Sequence, residues 1–563
     1  MNSPTILYLR GTPVRLALLV CCLLPLAANA ADSAKPPGSV LATPPDMTYF
    51  AKAGDTLSAI ALRFTEKLQN WTILSKRNHI GDDRSIPVGT AILIPLELLP
   101  EEASQARVVA LAGNPQRING DETRLKVGSI VTEGTQISTG ADGFVTLALE
   151  DGSRISIPSN SRIVLTTLRK TKYTASPRTA ISLTEGKVES RVAKLSENKG
   201  RFEVRSPLAL AGVRGTHFRV GILADGTANE VLEGAVAVDQ AEHALKSALV
   251  LPAGSGNIIG RSRIGPSLAL LAAPTLEAAS LLQIRPTLNF HAIPLAAAQA
   301  YHVQIARDAQ ALDVMMENTF TQPHFKFDGL PDGQYFIRLS AIDQHGLEGF
   351  PMTAAFTLKA RPEPPFPLTP KNKQRAAQTD FSWTEASAAE AYHLQVARDR
   401  EFNDVVLDEP ALKQLSFSTD KLADGSYFWR IATVINAAKP DQGPYSDPEA
   451  FQKLPAPAAP TVGDTNGSEM ALSWAAEAGQ TFLIEMSSDP KFSQLFLSRE
   501  LSTAELKIPR PPAGVYYLRV RATDADGYVA AFTATQKLYI PARWTSSDGS
   551  AIVSGNGNVG TGF

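Results

Sequence analysis

The sequence predicts a multidomain, mainly β protein: one small βααβ module, then an all-β domain, then three tandem β-sandwiches. Three observations carry this. Apolar residues alternate in short runs such as Phe144-Val145-Thr146-Leu147-Ala148-Leu149 and Arg154-Ile155-Ser156-Ile157, with Asp142-Gly143 and Asp151-Gly152 as turns between them. From about Ala273 the chain repeats with a period of about 90 residues, the length of a domain rather than of a solenoid turn. Only the stretch Thr48 to Pro95 places a helical three-and-four spacing between two strand-like runs.

In chain order, residues 1–30 read as a secretory signal peptide. Arg10 and Arg15 precede the apolar run Leu16–Leu26, which is too short to span a bilayer, and Ala28-Asn29-Ala30 supplies an A-x-A cleavage pattern. An uncleaved anchor is the alternative, and Val20 before Cys21 disfavours a lipoprotein. Cys21 and Cys22 are the chain's 2 cysteines, so a processed chain holds no thiol, disulfide or Cys-based metal site. Residues 31–46, with Pro36, Pro37, Pro44 and Pro45, read as a semi-extended linker. Lys and Arg number 54 and Asp and Glu 56, a balance that excludes strong general affinity for nucleic acid or an anionic membrane. No later stretch is apolar for long enough to span a membrane, so no stable insertion is expected after cleavage.

Residues 47–96 form the small module. Tyr49 and Ala51 alternate in a strand, Gly54 permits a turn, and Asp55 or Thr56 caps a helix. Leu57, Ile60, Ala61 and Phe64 then form one buried face. A second helix is expected over Asn70 to Lys76, led by Trp71, Ile73 and Leu74. Pro87-Val88-Gly89-Thr90 turns into the strand Ala91–Pro95. The Gly-Asp-Thr-Leu-Ser opening, the mid-loop Asn and the closing Pro-x-Gly-x-x-(apolar)-x-Ile-Pro resemble a LysM module; Thr65 to Trp71 departs from the family's usual turn. The resemblance implies a βααβ fold that binds N-acetylglucosamine-containing glycan, usually peptidoglycan in bacteria. It also implies a groove with Gly54, Asp55, Thr56 and Leu57 on one side and Asn78, His79 and Ile80 on the other. Helix capping by Asp55 and Thr56 and turn formation by Asn78 are the purely structural readings.

Residues 105–263 form the all-β domain. Leu183-Thr-Glu-Gly186-Lys-Val188, Phe202-Glu-Val204-Arg-Ser-Pro207-Leu-Ala-Leu-Ala211-Gly-Val213-Arg214-Gly215-Thr216 and Val231-Leu-Glu233-Gly234-Ala-Val236 stand out. They resemble the FecR family, whose best-known members carry this domain on a periplasmic anti-sigma regulator. Neither the membrane helix nor the cytoplasmic segment of those members is read here. The resemblance therefore implies an all-β extracytoplasmic domain that contacts an envelope protein partner. Arg214, Gly215 and Thr216 are either a partner surface or a strand-linking turn with Arg214 paired to a carboxylate.

Residues 271–360, 361–455 and 456–544 are the sandwiches. Ala300–Asp308 recurs as Ala391–Asp399 and loosely as Phe482–Asp489. Asp332–Arg338, Asp424–Arg430 and Ala513–Arg519 follow at equal offsets. The copies resemble fibronectin type III or related immunoglobulin-like modules. Tyr335, Phe336, Tyr427, Trp429, Tyr516 and Tyr517 are expected mostly in the core. Trp383 and Trp474 are expected as core anchors, with Phe290 in their place in the first copy. His302 and His393 fall at equivalent positions in different repeats and form no metal site. Residues 545–563, rich in Gly, Ser and Asn, read as a disordered tail.

No nucleophile elbow, zincin, P-loop or dinucleotide motif occurs, so no catalytic residue, metal or cofactor is expected. The leading expectation is a non-enzymatic, peptidoglycan-binding envelope protein, periplasmic or secreted. A FecR-type signalling role through a separate membrane partner, or an adhesin, is the alternative.

Overall fold

The computed structural model describes residues 35–81, 86–119, 121–194, 200–213, 215–242, 245, 248–436, 439–465 and 467–542, with residues 547, 553–554 and 557–558 beyond them. The predicted signal segment and most of the predicted tail lie outside the described residues; within the tail, Val553–Ser554 pairs with Gly557–Asn558. The chain divides into two compact units, the first reaching Ser267 and the second taking up Leu268 onward together with the short segments Ala110–Asn114 and Ala141–Thr146.

The first unit opens with a three-stranded antiparallel sheet, β1 (Val40–Thr43), β2 (Asp46–Phe50) and β3 (Ala91–Pro95), in that order. Between β2 and β3 lie α1 (Leu57–Thr65) and α2 (Trp71–Asn78), with a 3-10 turn at Leu68–Asn70. The expected βααβ order is present, with two differences. Part of the predicted linker is a strand, because Val40–Thr43 folds back to pair with Asp46–Tyr49. The second helix starts one residue later than expected and runs to Asn78. It buries Leu74 and leaves Trp71 and Ile73 exposed, because one turn of a short helix offers one residue to the core. Met47, Tyr49, Leu57, Ile60, Phe64, Leu74, Ile92 and Ile94 form that core.

Beyond it, strands from Glu101 to Ala269 build two sheets, one of nine strands and one of ten. The chain passes back and forth between them. Ile130–Thr132 lies in the nine-stranded sheet and Gln136–Ser138 in the ten-stranded one. Pro177–Glu185 and Lys187–Arg191 are split the same way, as are Gly226–Glu233 and Ala235–Gln240. Each of these three crossings is made at a Glu-Gly doublet (133–134, 185–186, 233–234) whose glycine has positive φ. A residue that turns the chain out of one sheet into the other needs that region, where a Cβ is strained.

The second unit contains the three sandwiches. In the first, Leu288–His291 pairs with His324–Phe327. Behind this pair stands a sheet in the order Leu282–Gln283, Met352–Leu358, Gly333–Ile342, Ala300–Ala306, Val314–Phe320. The other two repeat the plan with a three-stranded sheet (Thr379–Trp383 and Glu469–Ser473 at their centres) facing a larger one. Every copy has a tyrosine corner: Tyr335 donates to the Pro331 carbonyl (2.9 Å), Tyr427 to Ala423 (2.9 Å) and Tyr516 to Pro512 (3.0 Å). These three rings and Trp429 are buried as expected, while Phe336 and Tyr517 are half-buried on the opposite face.

Strand register corrects one equivalence. The Trp383 amide donates to the Leu415 carbonyl and that of Trp474 to Ala504; the matching bond in the first repeat is made by Ala292, to Pro323. Phe290, paired with Phe325, corresponds instead to Phe381, paired with Phe417. Trp383 is buried against Tyr392, whereas Trp474 is half-buried against Phe482.

Candidate functional site

The first predicted wall is the loop from β2 into α1. Thr56 is the N-cap of α1 with extended backbone, and its Oγ1 accepts from the Ala59 amide at 3.1 Å. Asp55 is committed inward: its Oδ2 accepts from the Tyr49 hydroxyl (2.5 Å) and the Lys52 amide (2.8 Å), and its Oδ1 lies 3.8 Å from Arg63. The Arg63 guanidinium stacks 4.8 Å from the Tyr49 ring centre and 4.7 Å from that of Phe64. Burial, together with the bond to Asp55, pushes the Tyr49 hydroxyl up to about 12, so it stays a protonated donor that braces the loop. Gly54 has φ +81° and open space where a side chain would stand, so its backbone is approachable. Leu57 is fully buried; only its backbone faces the loop.

The second wall follows α2. Asn78 donates to the carbonyls of Leu74 (2.9 Å) and Leu93 (2.8 Å) and accepts from the Leu93 amide (2.7 Å), so its amide pins the helix end to β3. His79, exposed, takes the left-handed C-cap position with φ +55°. Ile80 is half-buried against the core, and the Ser75 hydroxyl donates to its carbonyl at 2.8 Å. The seven predicted residues therefore split. The side chains of Asp55, Thr56, Leu57 and Asn78 hold the two loops in shape. Gly54 and His79 are exposed, and Ile80 is half-buried.

This assigns Asn78 a structural load that sequence spacing did not reveal. Asn78→Ala strands the Leu93 amide and carbonyl and is expected to destabilise the module by about 2–4 kcal/mol. His79→Gly, which relieves a strained cap, is expected to be neutral or stabilising by up to about 1 kcal/mol. Hydrogen exchange at Ile92–Ile94 reads both: faster in the first variant, unchanged or slower in the second.

The module does not stand free of the β domain. Tyr173, at the tip of a hairpin with φ +72°, packs on Phe64 at 5.0 Å and donates to the Arg63 carbonyl at 3.0 Å, and Lys172 pairs with Glu66 at 3.6 Å. No periodic signal in the sequence marks that tip. A cavity of about 1010 Å³ lies on another side of the module, lined by Ile73, Arg77, Leu96, Phe202, Val213 and Val250 among others; it includes none of the seven predicted residues.

Residues 49–95 match the family model of the LysM domain. The LysM module thus carries the family's fold with an added N-terminal strand. Residues 135–237 match the model described as FecR protein. None of the curated proteins compared with the chain matches it. Two crystal structures of a protein described as an anti-sigma factor, from Parabacteroides distasonis, are similar at 21% identity with a TM-score of 0.19, over 24% of this chain and 57% of that one. The FN1–FN3 domains of chicken CNTN1 are similar at 13% identity with a TM-score of 0.18, over 48% of this chain and 98% of that one.

In the FecR-like domain, Arg214 lies outside the described residues. Gly215 has φ +69°, and a Cβ there would meet the Lys194 backbone at 3.0 Å. Thr216 is buried, its hydroxyl donating to the Ala235 carbonyl at 3.1 Å. A Cβ on Gly234 would in turn meet the Thr216 hydroxyl at 3.0 Å. The motif is where two crossings between the sheets lock together. Among the described residues no helix is long and apolar enough to cross a membrane, and no cluster of three or more metal-ligating side chains is assembled.

Proposed function

We propose that this protein is a non-enzymatic peptidoglycan-binding component of the cell envelope, periplasmic or secreted, whose LysM module holds N-acetylglucosamine-containing glycan. The observation that carries the reading is the LysM match over residues 49–95, joined to two loops braced from behind by Asp55 and Asn78. Bracing leaves the loops preorganised, so little ordering entropy is lost when a glycan docks. A shallow single module binds weakly, and retention on a polymeric wall gains from many neighbouring sites. The β domain and sandwiches present surfaces to a protein partner.

A pull-down on purified peptidoglycan tests this. The full chain is expected in the pellet, and a chain lacking residues 47–96 in the supernatant. Ala53→Glu with His79→Glu, both on exposed loop positions, is expected to weaken retention by roughly tenfold without unfolding the module. Equal retention of all three proteins would refute the reading.

A second reading rests on the FecR match at residues 135–237: a regulator acting through a separate membrane partner. Crosslinking in cells that captures a membrane protein through this domain favours it.

A further inference from the structure

The third sandwich leaves open a sheet edge that its two sister repeats close. In the first repeat Leu282–Gln283 runs parallel to Met352–Leu358 at the edge of the larger sheet, and in the second Asn372–Arg375 does the same beside Glu449–Leu454. The matching strand of the third repeat is Gln536–Ile540. Among the described residues it pairs with Gly514–Thr523 on one side and with nothing on the other. Gly463, Thr465 and Ser468, which stand where the sisters send their closing strand, are held on the smaller sheet instead. The Gly463 amide donates to the Ala471 carbonyl at 2.8 Å. Arg510 donates through Nε to the Thr465 carbonyl (2.6 Å) and through its amide to that of Ser468 (3.0 Å).

Side-chain chemistry changes at the same place. Gly333, Gly425 and Gly514 lie opposite Leu358, Lys453 and Ile540 in the three repeats. The next pair along is Gln334–Thr357 in the first and Ser426–Gln452 in the second, but Val515–Tyr539 in the third. Tyr539 is 65% exposed and Val515 38%. Two sandwiches stable with polar pairs show that the fold does not require apolar groups there. On the same strand, Gln536 Oε1 is buried with no hydrogen-bond partner among the described residues. An edge strand directs alternate N–H and C=O groups outward, and apolar residues beside a bare edge favour addition of another strand.

We propose that Gln536–Ile540 pairs antiparallel with the same strand of a second copy of this chain, about a two-fold axis through Leu538. Two identical edges related in this way present matching outward donors and acceptors. Lys537 and Tyr539 are both exposed on one face of the strand. In this register Lys537 stands opposite the partner's Tyr539, and Tyr539 opposite the partner's Lys537. Each ammonium then lies beside a phenol ring, so the Lys-x-Tyr pattern is complementary to itself. Pro541, which has no N–H, ends the pairing. Five residues and two apolar side chains per copy fall short of the roughly 1,200–2,000 Å² of a stable interface, so the dimer is expected to be micromolar. On the reading that the LysM module holds glycan, pairing puts two such modules in one particle and raises retention on a polymeric wall.

The test needs no glycan. Sedimentation equilibrium of the full-length chain over roughly 1–200 µM is expected to show a monomer–dimer equilibrium. Val515→Gln with Tyr539→Thr gives the third repeat the first repeat's pair and so keeps the sandwich folded. It is expected to raise the dissociation constant by roughly tenfold or more. Hydrogen exchange of the unaltered protein decides the matter even if the variant misfolds. Exchange at residues 536–540 should slow as concentration rises, while Met352–Leu358 and Glu449–Leu454, already closed, stay unchanged. A monomer at every concentration, a dimer unmoved by the double substitution, or concentration-dependent protection that misses residues 536–540 would overturn the proposal.

Discussion

Replacing Arg219 with alanine is expected to destabilise the FecR-like domain by about 3–5 kcal/mol. Arg219 faces Glu230 across the strand pair His217–Leu223 and Gly226–Glu233, with Nε 2.9 Å from a carboxylate oxygen. The two side chains are 1% and 2% exposed. Removing the cation takes from the buried Glu230 carboxylate its cross-strand counter-charge, which raises the cost of keeping it ionised inside the sheet. The double change Arg219→Met with Glu230→Leu removes both charges and fills the space, so it is expected to recover most of the loss. Hydrogen exchange along residues 217–223 distinguishes the two. Equal losses in the single and double variants would show that packing of the arginine stem, not the buried charge, holds these strands.

His302 is expected to make the first sandwich less stable as pH rises through the alkaline range. Its Nδ1 lies 3.1 Å from Glu348 and its Nε2 3.3 Å from Glu317, and both carboxylates are almost fully buried. Burial alone would disfavour the imidazolium, but the two carboxylates outweigh it and raise the group to about 9. A folded value above the unfolded 6.5 means that the stabilisation is complete below about pH 6.5. It is lost as pH climbs through about 9, a change on the order of 3 kcal/mol. His302→Gln is expected to unfold at lower denaturant concentration at pH 6 and to match the unaltered protein at pH 10. His393, its counterpart, meets one carboxylate, Asp408 at 2.6 Å, with Gln442 and Tyr445 on its other nitrogen. Glu348→Gln therefore brings the first repeat closer to the second and should flatten the pH profile. A profile indifferent to His302 would contradict the assignment.

What the sequence made legible was local. The spacing of Leu57, Ile60, Ala61 and Phe64 sufficed for α1, because every one of them meets the same core. The repeat period and the Tyr335, Tyr427 and Tyr516 positions were equally visible. Strand β1 was not, since its residues are half-exposed and the neighbouring prolines read as linker. The FecR-like motif was recognisable, but its geometry depends on which sheet each strand joins, a property of distant partners. The same holds for Asn78, whose decisive contacts are on Leu93. Position in the sequence sets Phe290 in the place of the tryptophans, where backbone pairing puts Ala292.

A glycan is expected to meet the chain at the two loops of the LysM module. Hydrogen exchange of the full-length protein, with and without soluble peptidoglycan glycan strands, measures this directly. Slowed exchange is predicted in peptides covering residues 52–57 and 78–81, with the three sandwiches unchanged. Glycan binding with protection confined to the sandwiches or the FecR-like domain would contradict it.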